Sequence, residues 1–399
     1  MPDQVPFAVV VTVLSLAVLG ILAGERLSER SGVPLPLVVL GVTALSARAA
    51  NLAPLGEIAV SRIVTVALIA VLFSGGMHLG RRRLTRSARV VLSLGGIGTL
   101  GTAAFGALFA HFALGLAWYP ALLVTTAVAP TDPTIVFGLL GRNPVAGRVA
   151  TVLEGESGTN DPVGISLMTA LLGAGSITLS GLAHAGSTFA LQICVGTVVG
   201  VTGGQALLWL VRRPSLAGQR PIASAAAAVA IYGLAAAVGG SGFLAVFVAG
   251  ISLGDEAFPH KIQVERFHSS LASLGEIAAF ISLGLTLDLH VLAQVSTWAP
   301  GLALGAVVAF VARPLSVLGC LARSGMSNPE KAFVAFAGLK GAVPILLGTY
   351  LLGLGSGQGP RLYGIVVVVA VTSVAVQGSL LKPASARLAK AELKRSKRR

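Results

Sequence analysis

Thirteen apolar segments follow one another along this chain, and most are near the length that a helix needs to cross a bilayer. A spanning helix takes about 20 residues to cross roughly 30 Å of hydrocarbon. Only 11% of the residues are charged, against about 25% in a soluble domain. The sequence therefore predicts an all-α polytopic membrane protein with about 13 transmembrane helices. The predicted segments are 6–23, 33–47, 58–79, 89–112, 117–139, 149–176, 187–211, 222–239, 241–254, 268–287, 297–321, 330–353 and 361–382.

The basic residues are distributed unevenly between the predicted loops. With the N-terminus outside, the inner loops and the C-terminal tail hold 24 of the 29 Lys and Arg residues, and the outer loops hold three. Cytoplasmic loops carry such an excess, so we expect a multi-pass protein of the cell (inner) membrane with a cytoplasmic C-terminus. This topology explains the net charge of +14 without a nucleic-acid partner. We expect a transmembrane domain over 1–382 and a short basic tail over 383–399.

Two predicted segments carry signals that interrupt a helix. Segment 117–139 contains two prolines around Thr131 and Asp132, and segment 330–353 contains two glycines around Lys340 and a proline shortly after. Proline removes a backbone donor and breaks a helix. The two segments lie seven apart in the series and so run in opposite directions, as inverted six-helix repeats would require. Interrupted helices at corresponding positions of two halves are typical of a transporter binding site; two ordinary proline kinks are the alternative.

A polar stripe runs through segment 149–176. Glu154, Ser157 and Asp161 share one helix face, and Glu156 lies one turn from Asn160. A charge at the centre of a spanning helix costs about 2.5–3.5 kcal/mol, so an ionisable group there is a candidate functional residue. Glu154 lies nearer the inner end of the segment. It has two interpretations, a residue of a funnel that leads to the site or an ordinary solvated acid.

Three charged residues converge at one depth. Asp161 lies about 12 residues from the inner end of its segment, which is roughly 18 Å at 1.5 Å per residue. Asp132 and Lys340 reach a similar depth from the ends of their own segments. All three are therefore expected near the middle of the bilayer.

The residue types in this set suit a monovalent cation. Such cations prefer oxygen ligands, which Asp161, Ser157, Thr131 and the freed backbone at 130–133 can supply. Desolvation disfavours a bare carboxylate, so we expect Asp161 to hold either a proton or a cation. Competition between a proton and a cation for one site is sufficient for exchange, if the carrier can turn from one side of the membrane to the other only when the site is occupied. Asp132 has two interpretations, an ion ligand or a group that neutralises helix dipoles opposite Lys340, and we favour a share in both.

Arg313 is the only Arg deep in its predicted helix, and Glu156 is the acid most suited to pair with it. Neither charge is expected to be buried alone. We therefore predict an internal salt bridge between Glu156 and Arg313 that supports the scaffold rather than the ion.

These motifs together resemble the monovalent cation/proton antiporters of the NhaP and sodium/proton exchanger branch. The motifs are Thr131-Asp132-Pro133, Glu154-Gly155-Glu156-Ser157, Asn160-Asp161, Ala312-Arg313-Pro314-Leu315 and Gly338-Leu339-Lys340-Gly341-Ala342-Val343-Pro344-Ile345. The resemblance covers nearly the whole chain. It implies an NhaA-like fold with two unwound, crossing helices, a homodimer of thirteen-helix protomers and an elevator-like movement of an ion-translocating core. The dimerisation part would be mainly helices 1–3 and 8–10, and the core mainly helices 4–6 and 11–13.

The resemblance also implies roles for individual residues. It assigns proton and cation binding to Asp161, coordination to Ser157, Thr131 and Asp132, and a structural ion pair to Glu156 and Arg313. In the same cation site, Asn160 in place of a second Asp resembles the electroneutral branch, in which one proton is exchanged per cation. The implied role in the cell is pH homeostasis. No cofactor is expected, and the protein is expected not to be an enzyme.

Three positions depart from the common pattern of the family. Ser74 stands where members often carry an acid, Lys340 stands where Arg is common, and Pro162 after Asp161 is similar to potassium/proton members. The sequence thus leaves Na⁺ and K⁺ both open, with a slight preference for Na⁺, and Li⁺ is a further candidate.

Two other classes compete with antiport. An intramembrane aspartyl protease would use Asp132 and Asp161, but its usual Tyr-Asp and Gly-x-Gly-Asp pair is absent around them. A cation channel would not need paired interrupted helices in opposed orientation. Peptide cleavage would identify the protease, and steady current in excess of exchange would identify the channel.

Overall fold

All regular elements of the described residues are helices. A computed structural model describes residues 35–49, 57–140, 147–216, 218–354 and 357–396. The helices are α1 (Leu35–Ala49), α2 (Glu57–Leu92), α3 (Thr99–Phe112), α4 (Trp118–Val128), α5 (Pro133–Leu140), α6 (Arg148–Ala174), α7 (Leu179–Val211), α8 (Arg220–Ala237), α9 (Gly242–Gly254), α10 (Lys261–Gly284), α11 (Leu289–Ala293), α12 (Val295–Val307), α13 (Arg313–Leu321), α14 (Asn328–Phe336), α15 (Ala342–Thr349), α16 (Gly359–Thr372) and α17 (Gly378–Ser396).

The multi-pass prediction is confirmed in this part of the chain. Five helical runs are long and apolar enough to cross a membrane, and α4 and α5, bent by 42° at the break between them, meet the same criterion only when taken together. Helices α1 and α9 are apolar but shorter. The total of thirteen helices stays a prediction, because the predicted segment 6–23 and the N-terminus lie outside the described residues.

The longest helical run, Ile58–Phe112, is two spans joined by a kink. Its 55 residues would extend about 80 Å at 1.5 Å per residue, far more than one bilayer crossing. The chain breaks at Gly80, whose φ of 63° and ψ of 165° are not helical, and glycine takes such angles without steric cost. The Asp255 carboxylate packs against this glycine and accepts a hydrogen bond from the backbone N–H of Arg82. The boundary falls where the sequence predicts one, between segments 58–79 and 89–112.

Both predicted interruptions are present. The first span breaks between α4 and α5, and the second between α14 and α15. The second break is bounded on its C-terminal side by Gly341, which precedes the first residue of α15. Each break frees backbone groups that would otherwise be paired within one continuous helix.

One group of helices packs through glycines. Helix α9 lies against the part of α2 that precedes Gly80 and against α7. Helix α10 lies against α1 and α2. A Cβ on Gly250 would meet the carbonyl oxygen of Phe73, and one on Gly254 would meet that of Met77. Small residues four apart allow this close approach of two backbones. These close contacts fix the positions of α2, α9 and α10, which face the two interrupted helices.

Some predicted boundaries differ from the observed ones. Helix α7 begins at Leu179 instead of 187, because the hydroxyl of Thr178 accepts a hydrogen bond from the Gly181 N–H (3.1 Å) and caps it early. The last predicted segment ends at 382, whereas α17 continues through Pro383 to Ser396. Much of the predicted tail over 383–399 is therefore helical.

Candidate functional site

The two interrupted helices touch at their breaks. The backbone N–H of Asp132 donates a hydrogen bond of 2.8 Å to the carbonyl oxygen of Leu339. Four helix ends therefore meet at one point, the C-terminal ends of α4 and α14 and the N-terminal ends of α5 and α15. Helix ends carry partial charges of about half an elementary charge, so this crossing needs compensating groups.

Asp132 compensates the two N-terminal ends. One carboxylate oxygen, Oδ1, accepts a hydrogen bond of 2.8 Å from the backbone N–H of Thr134 in the first turn of α5. The carboxylate also lies against Gly341, where a Cβ would overlap it, at the start of α15. A carboxylate at such an end is an N-cap and stabilises the helix. Asp132 thus serves the interrupted helices structurally, as one of its two predicted interpretations requires.

Lys340 compensates the C-terminal end of α4. Its Nζ donates hydrogen bonds to the carbonyl oxygens of Ala129 (3.0 Å) and Pro130 (3.2 Å), and the residue is 2% exposed. A cation belongs at this end of a helix. The side chain comes from the second break and satisfies the first, so it also fastens the two segments together.

The predicted pair of Glu156 and Arg313 is formed. Arg313 Nη1 donates to Glu156 Oε1 at 2.7 Å, and Nη2 donates to Oε2 at 3.2 Å. Nη2 also donates to the carbonyl oxygen of Val334 at 3.2 Å, in the last turn of α14. Both side chains are almost fully buried. Arg313 therefore combines a fork-shaped bond to a carboxylate with compensation of the fourth helix end, the C-terminal end of α14.

Two π-helical turns position donors at the same end of α14. The turn Val308–Ala312 directly precedes Arg313, and the turn Ser373–Gln377 ends at Gln377. Gln377 Nε2 donates a hydrogen bond of 3.1 Å to the carbonyl oxygen of Phe336, the last residue of α14. A π turn inserts one extra residue and rotates the helix that follows, and such turns are frequent at functional sites.

Asn160 braces the first break. Its Nδ2 donates a hydrogen bond of 2.8 Å to Thr131 Oγ1, and its Oδ1 accepts one of 3.5 Å from the Thr131 backbone N–H. Both atoms of the amide are therefore paired. Thr131 Oγ1 retains a lone pair, since a hydroxyl accepts twice. The structure thus gives Asn160 a positioning contact and leaves Thr131 with spare acceptor capacity.

Asp161 and Ser157 face a cavity of about 490 Å³. They lie one turn apart on α6 and are 8% and 6% exposed. Among the described residues, the Asp161 carboxylate has no hydrogen bond and no ion pair within 4 Å, and the charge of Lys340 acts on it from a longer distance. The predicted set is therefore brought together in part: Thr131, Asp132, Ser157 and Asp161 line the cavity, while Glu156, Arg313 and Lys340 lie behind it.

The cavity extends from the site toward the inner side of the predicted topology. His78, Glu154 and Ser269 line it together with Asp132 and Asp161, and Glu154 lies two turns before Asp161 on α6. Glu154 lies 3.7 Å from Arg83. Its position between the site and the predicted inner mouth fits the funnel interpretation.

The sequence matches a known family along most of its length. The model of the family described as "Sodium/hydrogen exchanger, transmembrane" matches residues 13–387. The chain belongs to the sodium/hydrogen exchanger family. This assignment agrees with the resemblance that the motifs indicate. The relatives described next are transporters rather than enzymes.

Curated relatives of this chain include potassium and sodium antiporters. The K⁺/H⁺ antiporter NhaP of Alkalimonas amylolytica is 30% identical over 393 residues, which are 94% of this chain and 66% of the relative. NhaP2 of Shewanella sp. (strain MR-4), also a K⁺/H⁺ antiporter, is 32% identical over 92% of this chain and 64% of its own length. This chain thus spans less than two thirds of these two relatives. The Na⁺/H⁺ antiporter NhaH of Halobacillus dabanensis is 25% identical, with 94% of this chain and 96% of the relative covered.

A solved antiporter has the same fold as this chain. The sodium/proton antiporter MjNhaP1 from Methanocaldococcus jannaschii superposes with a TM-score of 0.79 at 21% identity, covering 95% of this chain and 98% of that one. The predicted NhaP-type helical fold is therefore confirmed. The inverted six-helix repeats stay a prediction.

One acid in the cavity is missing from the predicted set. Glu276 of α10 lines the cavity together with Asp132 and Asp161. A lone acid within the apolar segment 268–287 is the same kind of signal that selects Asp161. Ser74, which stands in place of a common acid, lines the cavity as well. The cavity is therefore acidic although Ser74 is not, and one of its carboxylates comes from α10.

Proposed function

We propose that this chain exchanges a monovalent alkali cation for protons across a membrane, and that Asp161 binds both. The observation that carries this proposal is the buried Asp161 carboxylate, which has no hydrogen bond or close ion pair among the described residues and faces the cavity. A buried carboxylate is costly unless it is paired or neutral. A cation or a proton is therefore needed at Asp161, and the two compete.

Neighbouring oxygens complete the proposed cation site. Ser157 lies one turn from Asp161 on α6, and Thr131 has spare acceptor capacity beside it. Asp132 is held as a cap by Thr134 and has a second oxygen available. Asn160 contributes by holding Thr131 in place. Monovalent cations are bound by oxygen sets of this kind.

The proposed transport step is alternating access. The core, mainly predicted helices 4–6 and 11–13, would move against a part made mainly of helices 1–3 and 8–10, which would also form a homodimer. Lys340, Arg313 and Asp132 hold the crossing together through hydrogen bonds, so the crossing can move as one unit. We place the protein in the inner membrane with the N-terminus outside, and assign it to pH homeostasis.

The proposed substrate class is monovalent cations, and the ion itself is open between Na⁺ and K⁺. The two potassium antiporters named above are 30% and 32% identical, and the sodium antiporter NhaH is 25% identical. The absence of an acid at Ser74 removes one oxygen ligand from the cavity. Neither observation decides between the two ions, so the assay must include both.

The test uses proteoliposomes with an imposed pH gradient. Na⁺, K⁺ and Li⁺ are added separately while lumenal pH is followed, for the wild type and for Asp161→Asn. The wild type should dissipate the gradient with at least one cation, at a rate that an imposed membrane potential does not change, and Asp161→Asn should not.

A matched control for the test is Asp288→Asn. Asp288 caps the short helix α11 in a loop, and Asn caps equally well, so this variant should exchange like the wild type. Equal exchange by Asp161→Asn and the wild type would refute the assignment of the site. A steady current in excess of exchange would show that the protein is a channel instead of an antiporter.

A further inference from the structure

One face of α10 forms a wall of the site cavity. Ser269, Ala272, Ser273, Glu276 and Ala279 line it, and this spacing places all five on one side of a helix. Glu276 lies two turns deeper than Ser269, toward Asp132. Glu276 therefore belongs to the deep part of the cavity rather than to its mouth.

The α10 wall is built on a different set of helices from the ion site. Gly275, next to Glu276, lies against α2, and a Cβ there would be 3.0 Å from Ala67 Cα. Asp161, by contrast, lies on α6, and Asp132 lies at the break before α5. Glu276 thus lines the cavity from α10, which packs mainly against α1 and α2 and also touches α15 of the crossing.

The charges along the cavity are all of one sign. Asp132, Glu154, Asp161 and Glu276 line it, and no Lys or Arg does so among the described residues. Glu154 Oε2 lies 3.7 Å from Arg83 Nη1, and one oxygen of Asp132 caps α5. Asp161 and Glu276 have no ion-pair partner in the described part of the chain. Asp161 is also more than nine-tenths buried, and the charge of Lys340 acts on it only from beyond ion-pair distance.

We infer that Glu276 is an affinity-determining residue of the exchange: it attracts and holds the incoming monovalent cation on the wall opposite Asp161, before Asp161 binds it. The inference rests on the proposed function. A cation that leaves water for a narrow cavity needs a compensating charge, and Glu276 lies along its path. A carboxylate within roughly 8–12 Å, at an effective dielectric of about 20, changes a binding constant about ten- to thirtyfold.

The test is Glu276→Gln, which preserves the shape of the side chain and removes its charge. In proteoliposomes we expect the apparent KM for the transported cation to rise about tenfold or more, with the maximal rate within about twofold of the wild type. Glu276→Asp keeps the charge and should retain an apparent KM close to that of the wild type. A second readout is the thermal stabilisation of the purified protein by the same cation, whose half-saturating concentration should rise by the same factor.

Two further variants sharpen the test. Glu265→Gln is the matched control, because Glu265 lies on the same helix, pairs with Lys261 at 3.5 Å and does not line the cavity. Ser273→Glu, added to Glu276→Gln, returns a carboxylate to the same face one turn away and should recover part of the lost affinity. A purely packing role for Glu276 predicts no such recovery.

The inference fails if Glu276→Gln has the apparent KM of the wild type, since Glu276 would then be neutral or outside the path of the ion. It also fails if Glu276→Gln and Glu276→Asp both lose the maximal rate at saturating cation, since the group would then be required for the transport step. Failure of the proposed function is distinguishable, because the wild type itself would then exchange no cation.

Discussion

The buried pair of Glu156 and Arg313 allows a quantitative test of how the crossing is held together. We consider Glu156→Leu, Arg313→Met and the double variant. Each single change leaves one buried charge without its partner, which costs about 3–5 kcal/mol. If the two changes were independent, the double variant would lose about 6–10 kcal/mol of unfolding free energy.

The structure predicts a much smaller loss for the double variant. Replacing both charges by apolar groups removes the stranded charge, and such replacements are often neutral. One cost remains, because Arg313 also donates to the Val334 carbonyl, and an unsatisfied buried acceptor costs about 1–3 kcal/mol. The double variant should therefore be about 1–3 kcal/mol less stable than the wild type, and more stable than either single variant.

The assay is equilibrium unfolding by a denaturing detergent in mixed micelles, followed by tryptophan fluorescence. The exposed pair of Arg212 and Glu256, at 2.8 Å and about half accessible, serves as the control cycle. Exposed pairs contribute only about 0–1 kcal/mol, so its three variants should unfold close to the wild type. A double variant at the first pair that loses the sum of the single losses would refute the reasoning.

Two further outcomes follow from the crossing. Lys340→Met removes the donor to the last carbonyls of α4, so we expect loss of both exchange and thermal stability, measured in proteoliposomes and by thermal unfolding. Gly341→Ala introduces a Cβ that meets the Asp132 carboxylate and should displace it. Exchange at saturating cation should then fall at least severalfold. The control is Gly173→Ala, where a Cβ meets nothing within 4 Å, and this variant should exchange normally. Normal transport by either crossing variant would contradict the assigned contacts.

Local chemistry made the breaks predictable from the sequence. Two prolines around Thr131 and Asp132, and glycines on both sides of Lys340, act on the backbone at their own positions. The pairing of Glu156 with Arg313 was predictable for a different reason, because a buried charge needs a partner and few partners were available at that depth. In both cases the sequence alone shows the physical requirement, which is a broken helix in the first case and a partner for a buried charge in the second.

Contacts between distant segments were not predictable in the same way. Asn160 is an acceptable cation ligand by residue type, and only its position beside Thr131 pairs both atoms of its amide. Glu276 is visible as an intramembrane acid, but its place in the cavity depends on how α10 packs against α2. The π turn before Arg313 has no clear sequence signature, although it contributes to aiming the guanidinium at α14.

The charges of the crossing divide into two groups with different consequences. Asp132, Lys340 and Arg313 each bond to a particular helix end, so their loss should weaken the fold whether or not an ion is bound. Asp161 and Glu276 line the cavity and have no such bond in the described residues, so the fold does not depend on their charge. Retained stability with loss of transport at Asp161, or with loss of cation affinity at Glu276, is therefore the expected signature of a carboxylate that handles the ion.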